Sequence, residues 1–197
     1  ARIGLILAGG ESRRMGGRSK ALAPLGERPM IDHVIEHFEP QVDDLWLSVA
    51  TSPGPIAHLG FRQLLDPEPS HCGPLAGLVQ GLIELPEDGI LCLAPCDAPL
   101  LPMDLAERLL AAMNEDHLAA VAREGEQLHP TFSAWRKRAL PEVAKALASS
   151  KGLWQTLKRL PHAVAQWPLT RASPFYNVNV PGDLQRVEAW LKSPDNE

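Results

Sequence analysis

Leu7-Ala8-Gly9-Gly10-Glu11-Ser12-Arg13-Arg14-Met15-Gly16-Gly17-Arg18-Ser19-Lys20 is the stretch on which the fold of this chain turns. It begins inside an apolar run, residues 3–8, which reads as a buried first strand, because strands of a parallel sheet are apolar on both faces. Gly9 and Gly10 then let the backbone turn sharply and offer its N–H groups to a ligand with no Cβ in the way. Arg13, Arg14, Arg18 and Lys20 follow, against a lone Glu11. Arginines give forked hydrogen bonds to phosphate oxygens, and a lysine gives a point charge. A strand, a glycine turn and a basic loop in that order predict a phosphate cradle; a basic surface loop with no ligand is the alternative. Two familiar phosphate signatures are missing, since there is neither G-x-x-x-x-G-K-[ST] nor a G-x-G-x-x-G after the strand.

Outward from this stretch, short apolar runs alternate with amphipathic segments, the pattern of an α/β protein. Strands are expected over residues 3–8, 45–50, 61–65, 90–94, 118–122, 131–134 and 163–166, and helices over 30–38, 75–85, 103–113, 138–147, 153–160 and 181–191. Most of the 19 prolines fall between these segments and punctuate them. No repeat, low-complexity tract or linker divides the 197 residues, so one domain is expected. Its architecture should be a single-domain, three-layer, Rossmann-like α/β fold with a mostly parallel sheet.

Ligands of open α/β sheets bind outside the carboxyl ends of the strands. Asp97 stands there, just past the strand at 90–94, in Pro95-Cys96-Asp97-Ala98-Pro99. Were the phosphate ligand a nucleoside triphosphate, it would arrive with Mg²⁺, which takes one or two protein carboxylates together with phosphates and waters. Asp97 is therefore a candidate metal ligand, the alternative being a loop or helix-capping aspartate. Asp66 follows the third strand, and Gly73-Pro74-Leu75-Ala76-Gly77 opens the next helix. Gly73 and Gly77 would let a base or ribose lie close to the backbone. A carboxylate at 66 can accept from two N–H groups at once, which suits a guanine edge, or it can stabilise a turn.

Leu7-Ala8-Gly9-Gly10-x-Ser-Arg-Arg-Met-Gly, with Lys20 and Pro24-Leu25-Gly26 downstream, is similar to the signature of the nucleotidyltransferase superfamily. Adding Asp66 with Gly73-Pro74-Leu75-Ala76-Gly77, Pro95-Cys96-Asp97-Ala98-Pro99 and Asn177-Val178-Asn179-Val180-Pro181, the chain resembles the MobA-type molybdenum cofactor guanylyltransferases. The resemblance is strong over 5–26, 66–77, 94–102 and 177–183, and vague between 103 and 170. It implies GTP contacts at Leu7, Ala8, Gly9, Gly10, Lys20, Ser48, Asp66, Gly73, Gly77 and Asp97. It also implies Mg²⁺ on Asp97, catalytic roles for Arg14, Lys20 and Asp97, and an acceptor side near His129, Asn177 and Asn179. Cytidylyl relatives usually carry Leu-Ala-Ala-Gly at the start, so Gly9 favours guanine. One position departs from the pattern: Ser48 stands where the family tends to have Asn, with a shorter reach and no separate donor and acceptor.

The implied reaction is transfer of GMP from GTP to the terminal phosphate of molybdopterin, with residues of about 1–100 holding GTP and about 101–192 the acceptor. Cofactor insertion or delivery proteins are the implied partners. Transfer of CMP to molybdopterin, transfer of a nucleotide to a sugar phosphate, and a non-catalytic nucleotide-binding module are the other readings. A net charge of −5 argues against a dedicated nucleic-acid binder, whereas a small basic island suits a compact anion. No apolar run approaches the roughly 18 residues of a membrane span, and residues 3–8 are too short for a leader's apolar core. Cys72, Cys92 and Cys96 suggest buried thiols in a reducing, cytoplasmic setting. His33 and His37 have metal-pair spacing but no third ligand, and read as solvent-facing. The five tryptophans are scattered, which suits packing more than a base-stacking platform.

Overall fold

The run at 3–8 becomes β1 (Arg2–Leu7), an interior strand of the sheet, in a computed structural model that describes residues 1–9, 19–51, 54–67 and 73–193. Leu5 and Ile6 are both fully buried yet face opposite sides, so the strand is covered by helices above and below. A two-residue hairpin follows, β2 (Pro24–Leu25) and β3 (Arg28–Pro29), and runs into α1 (Met30–Phe38). The parallel strands β4 (Asp44–Val49) and β5 (Arg62–Leu65) come next, then α2 (Pro74–Glu84) and β6 (Ile90–Pro95). The second half contains α3 (Leu105–Ala112), β7 (Ala119–Glu124), β8 (Gln127–Arg136), α4 (Leu140–Ala148), α5 (Leu153–Leu157), β9 (His162–Trp167) and α6 (Pro181–Lys192).

Among the described residues, seven strands form one sheet in the order β5-β4-β1-β6-β8-β7-β9. Only β8 runs against the others, pairing antiparallel with both β6 and β7. From β1 the chain moves outward to β4 and β5, then returns to the other side of β1 as β6. The order reverses between β1 and β6, and a crevice opens above their carboxyl ends. On one face α1 and α3 bury Ile31, Val34, Phe38, Leu105 and Leu109 against Ile6, Leu47 and Cys92. On the other, α2, α4 and α5 bury Leu75, Leu78, Leu82, Val143 and Leu157 against Leu5, Leu91, Leu93 and Trp135. A smaller cluster joins α6 to the β2–β3 hairpin through Val187, Val178, Leu25 and Met30. The result is the three-layer, mostly parallel α/β architecture expected from the sequence.

The boundaries differ where local chemistry overrides periodicity. β8 begins four residues before the expected 131, directly after the Glu124-Gly125 turn, where Gly125 has φ +54°. Its pairing with β7 shifts between Val121 and Ala122, which face Ser133 and His129 respectively, so Pro130, Thr131 and Phe132 bulge out of register. The helix expected over 138–147 starts as a 3₁₀ turn, Lys137–Ala139, and becomes α-helical at Leu140. Pro141 lacks an N–H and is suited to a helix's first turn, which fixes that start. The hairpin at 24–29 has no alternating pattern long enough to betray it. Gly26, at φ +64°, makes its turn and donates its N–H to Glu188 Oε1 at 2.9 Å.

Candidate active site

A cleft of about 270 Å³ opens at the strand reversal, walled by Leu7, Gly9, Lys20, Ser48, Asp66, Gly73, Asp97, Thr131 and Asn177. Its floor is a set of backbone hydrogen bonds that tie the strand ends together. Ala8 donates its N–H to Ser48 O at 2.9 Å, Cys96 donates to Leu7 O at 3.2 Å, and Asp66 donates to Val49 O at 2.9 Å. Ala8 is thus a structural staple at the base of the cleft and is not among the residues that wall it.

One end of the cleft holds an ion pair. Asp97 sits past β6 with its side chain 15% exposed, and its Oδ2 accepts a bond from Lys20 Nζ at 2.5 Å. The same ammonium donates to Asn179 Oδ1 at 2.8 Å. Asn179 is held by the start of α6, where Asp183 Oδ2 accepts from the N–H groups of Asn179 and Val180 at 2.8 and 3.1 Å. Tyr176 donates its hydroxyl to the other oxygen of Asp183 at 2.6 Å, and this bond leads the effects that hold the Asp183 carboxyl below its usual range. Val178 donates its N–H to Asp97 O at 2.8 Å, so the asparagine segment lies alongside the aspartate loop. The sequence pointed to Asp97, Lys20 and Asn179; it gave no sign of Asp183, whose role is visible only once α6 is docked.

The other end is shaped by small residues. Ser48 is 1% exposed and donates its hydroxyl to Asp66 Oδ1. A Cβ at Gly9 would collide with Asp66 Oδ2, and one at Gly77 would collide with Ser48 Oγ and stand 2.9 Å from Leu7 Cδ2. Gly77 therefore lies behind the cleft wall and not in it. Gly73, at φ +56°, adopts a conformation costly for any other residue and sits at the lip. Burial pushes the Asp66 carboxyl above the usual carboxylate range, and the Ser48 hydrogen bond acts in the opposite direction.

The acceptor-side residues separate. Asn177 reaches the cleft, and its Oδ1 is buried without a hydrogen-bond partner. His129 does not wall the cleft. Its ring stacks on Phe175 at 4.7 Å, with Nε2 3.9 Å from Glu124 Oε2. Ser173 donates to that same Glu124 oxygen at 2.7 Å. Burial holds the His129 imidazole below its ordinary pKa, with Glu124 opposing. Glu124, only 5% exposed, carried no signal in the sequence beyond its place in a turn.

Gly10, Arg13, Arg14 and Arg18 lie outside the described residues, as do His71 and Cys72. Among the described residues, no three His, Cys, Asp or Glu side chains gather as a metal-holding group. His33 and His37 are not solvent-facing as expected. Both are partly buried, and each spends one ring nitrogen on a backbone carbonyl at 2.9 Å, Leu25 O and Leu101 O respectively. Cys92 and Cys96 are buried, and burial pushes each thiol up to about 12. Among the described residues no helix is long and apolar enough to cross a membrane.

The description of the MobA-like NTP transferase domain matches residues 4–164, which include both ends of the cleft apart from the asparagine segment. The chain belongs to that family. Two relatives called molybdenum cofactor guanylyltransferase support the assignment over nearly the whole length. That of Mesorhizobium japonicum is 35% identical and covers 96% of each chain. That of Cereibacter sphaeroides is 38% identical, covering 96% of this chain and 97% of its own. The fold is also that of molybdopterin-guanine dinucleotide biosynthesis protein A from Archaeoglobus fulgidus, with a TM-score of 0.77 at 20% identity over 97% and 99% of the two chains. By family, the chain is a nucleotidyltransferase.

Proposed function

We propose that this MobA-like chain transfers GMP from GTP to the terminal phosphate of molybdopterin, releasing pyrophosphate and forming a guanine dinucleotide cofactor. The observation that carries the reading is one cleft with a base-side carboxylate at one end and a cation-holding oxygen pair at the other. β5 and β6, which lead into Asp66 and Asp97, are three sheet spacings apart, about 14 Å. That span suits a molecule with a base at one end and phosphates at the other. The names of the relatives at 35% and 38% identity favour guanine and molybdopterin.

Asp97 Oδ2 and Asn179 Oδ1 already converge on a cation, the Lys20 ammonium. One carboxylate and one amide oxygen are a donor set that fits Mg²⁺, whose remaining positions go to phosphates and water. Bound there, Mg²⁺ would neutralise charge on the triphosphate. Lys20 would then turn to the phosphates, and Arg14 would join it in stabilising the pyrophosphate as it leaves. Asp66 would accept from the base edge, and Asn177, with its unpartnered Oδ1, would meet the acceptor. A phosphate monoester has a second pKa of about 6, so near neutral pH the attacking group is already mostly dianionic and needs no general base. The protein's task is alignment and charge neutralisation. In this reading residues of about 1–100 hold GTP and about 101–192 the acceptor, and the product passes to cofactor insertion or delivery proteins.

The test is pyrophosphate release from GTP in the presence of molybdopterin and Mg²⁺, with CTP as the control. GTP turnover above CTP is expected, and Asp97→Ala should lower it at least about 100-fold, the scale of losing a group that stabilises transition-state charge. Near-wild-type turnover by Asp97→Ala, or equal use of CTP, would overturn the reading.

A further inference from the structure

Asp66 is held from two sides before any ligand arrives. Ser48, in β4, donates its hydroxyl to Oδ1, and the backbone of Gly9 lies against Oδ2 where a Cβ would collide. Ser48 is itself pinned. Its Oγ occupies space that only a glycine at 77 leaves free, so α2 presses on the serine and the serine fixes the carboxylate. A terminal carboxyl group otherwise turns over a broad, two-fold torsional well. With one oxygen tied and the other walled, the plane of the Asp66 carboxylate is set. Each oxygen keeps a lone pair for a ligand, because a carboxylate accepts about four hydrogen bonds.

We propose that Ser48 is a positioning residue for base recognition, fixing Asp66 so that its two oxygens meet a pair of adjacent N–H donors. Guanine carries such a pair on its Watson–Crick edge, the ring N–H beside the exocyclic amine. Cytosine has a donor beside an acceptor, and a carboxylate oxygen facing that acceptor is repelled. The inference rests on the guanine-nucleotide reading above and assigns the residue that sets its selectivity.

Calorimetric titration of the full chain with GTP, inosine triphosphate and CTP tests it, with Mg²⁺ present. Inosine triphosphate keeps the ring N–H and lacks the amine. Ser48→Ala is expected to weaken GTP about 3- to 10-fold, the scale of one net hydrogen bond, and inosine triphosphate less, so the ratio between them falls. In an Asp66→Asn background the same substitution should add little, because the two residues act as a unit. Ser48→Cys, similar in size with a weaker donor, should shift the ratio the same way and supplies the comparison if Ser48→Ala does not fold. An equal loss for all three nucleotides, or an undiminished loss in the Asp66→Asn background, would show Ser48 to be packing only and overturn the proposal. A wild-type chain that binds CTP as tightly as GTP would instead overturn the donor reading. The coupling of Ser48 and Asp66, measured with GTP, would then still decide the positioning role.

Discussion

His129 shows what a single residue contributes and how little of that is visible in a sequence. Its neighbours Pro130 and Thr131 drew attention to an acceptor-side segment, yet the ring packs inward between Phe175 and Phe132. Burial lowers its pKa below the ordinary 6.5, and the nearby Glu124 carboxylate only partly offsets this. The unfolded chain therefore binds more protons than the folded one between the depressed value and 6.5, so stability rises with pH across that window. Acidification from pH 7.5 to 5.5 is expected to lower the melting temperature, and His129→Phe, which keeps the aromatic stack, should show a smaller drop. An identical drop in the two proteins would remove His129 from the account. Asp97, Lys20 and Asp66 were legible because their motifs are local. Glu124 and Asp183 were not: Glu124 meets Ser173 from 49 positions away, and Asp183, though it bonds only to Asn179, Val180 and Tyr176 nearby, bears on the site because Val178 ties that segment to Asp97 O.

Helix α2 carries the clearest element-scale lesson. Its apolar spacing and the Gly73-Pro74 entry predict the helix, and its bounds match the expected ones within a residue. What periodicity does not reveal is why two glycines, Gly77 and Gly81, sit one turn apart on its buried side. At Gly81 a Cβ would lie 2.6 Å from Leu91 Cδ2 and 2.8 Å from Leu5 Cδ2, both in fully buried leucines. The helix approaches the sheet more closely than any side chain allows. Gly81→Ala improves helix propensity by up to about 1 kcal/mol. Overpacking costs about 1–3 kcal/mol, so the variant should be less stable on balance. Denaturant unfolding measures this directly, and a stabilised Gly81→Ala would mean that the leucines can move aside. The short β2–β3 hairpin and the β8 bulge escaped the sequence because neither carries a repeat long enough to read: one has two residues a side, and the other breaks the two-residue register of β7 and β8.

At the scale of the whole molecule, strand order does what no single motif can. It places Asp66 and Asp97, 31 positions apart in sequence, over one sheet edge. Alternating apolar and amphipathic segments were enough to predict the layers. They could not predict that β8 alone would run backwards, a choice made by the tight Glu124-Gly125 turn. The net charge of −5 gives the molecule no general attraction for a polyanion, so the local arrangement at the cleft must provide it. There, the Lys20 ammonium already rests on Asp97 and Asn179. The free protein thus carries its own counterion, and loading the cleft is an exchange, not an addition. A divalent ion arriving alone would have to evict an ammonium with nowhere to go, whereas a triphosphate offers that ammonium a new anion. On the proposed reading, ion and nucleotide would be mutually dependent guests, each tightening the other by the same factor. Titrated separately, Mg²⁺ should bind weakly and GTP modestly. Titrated together, each should bind at least about tenfold tighter, and Lys20→Met should loosen that interdependence.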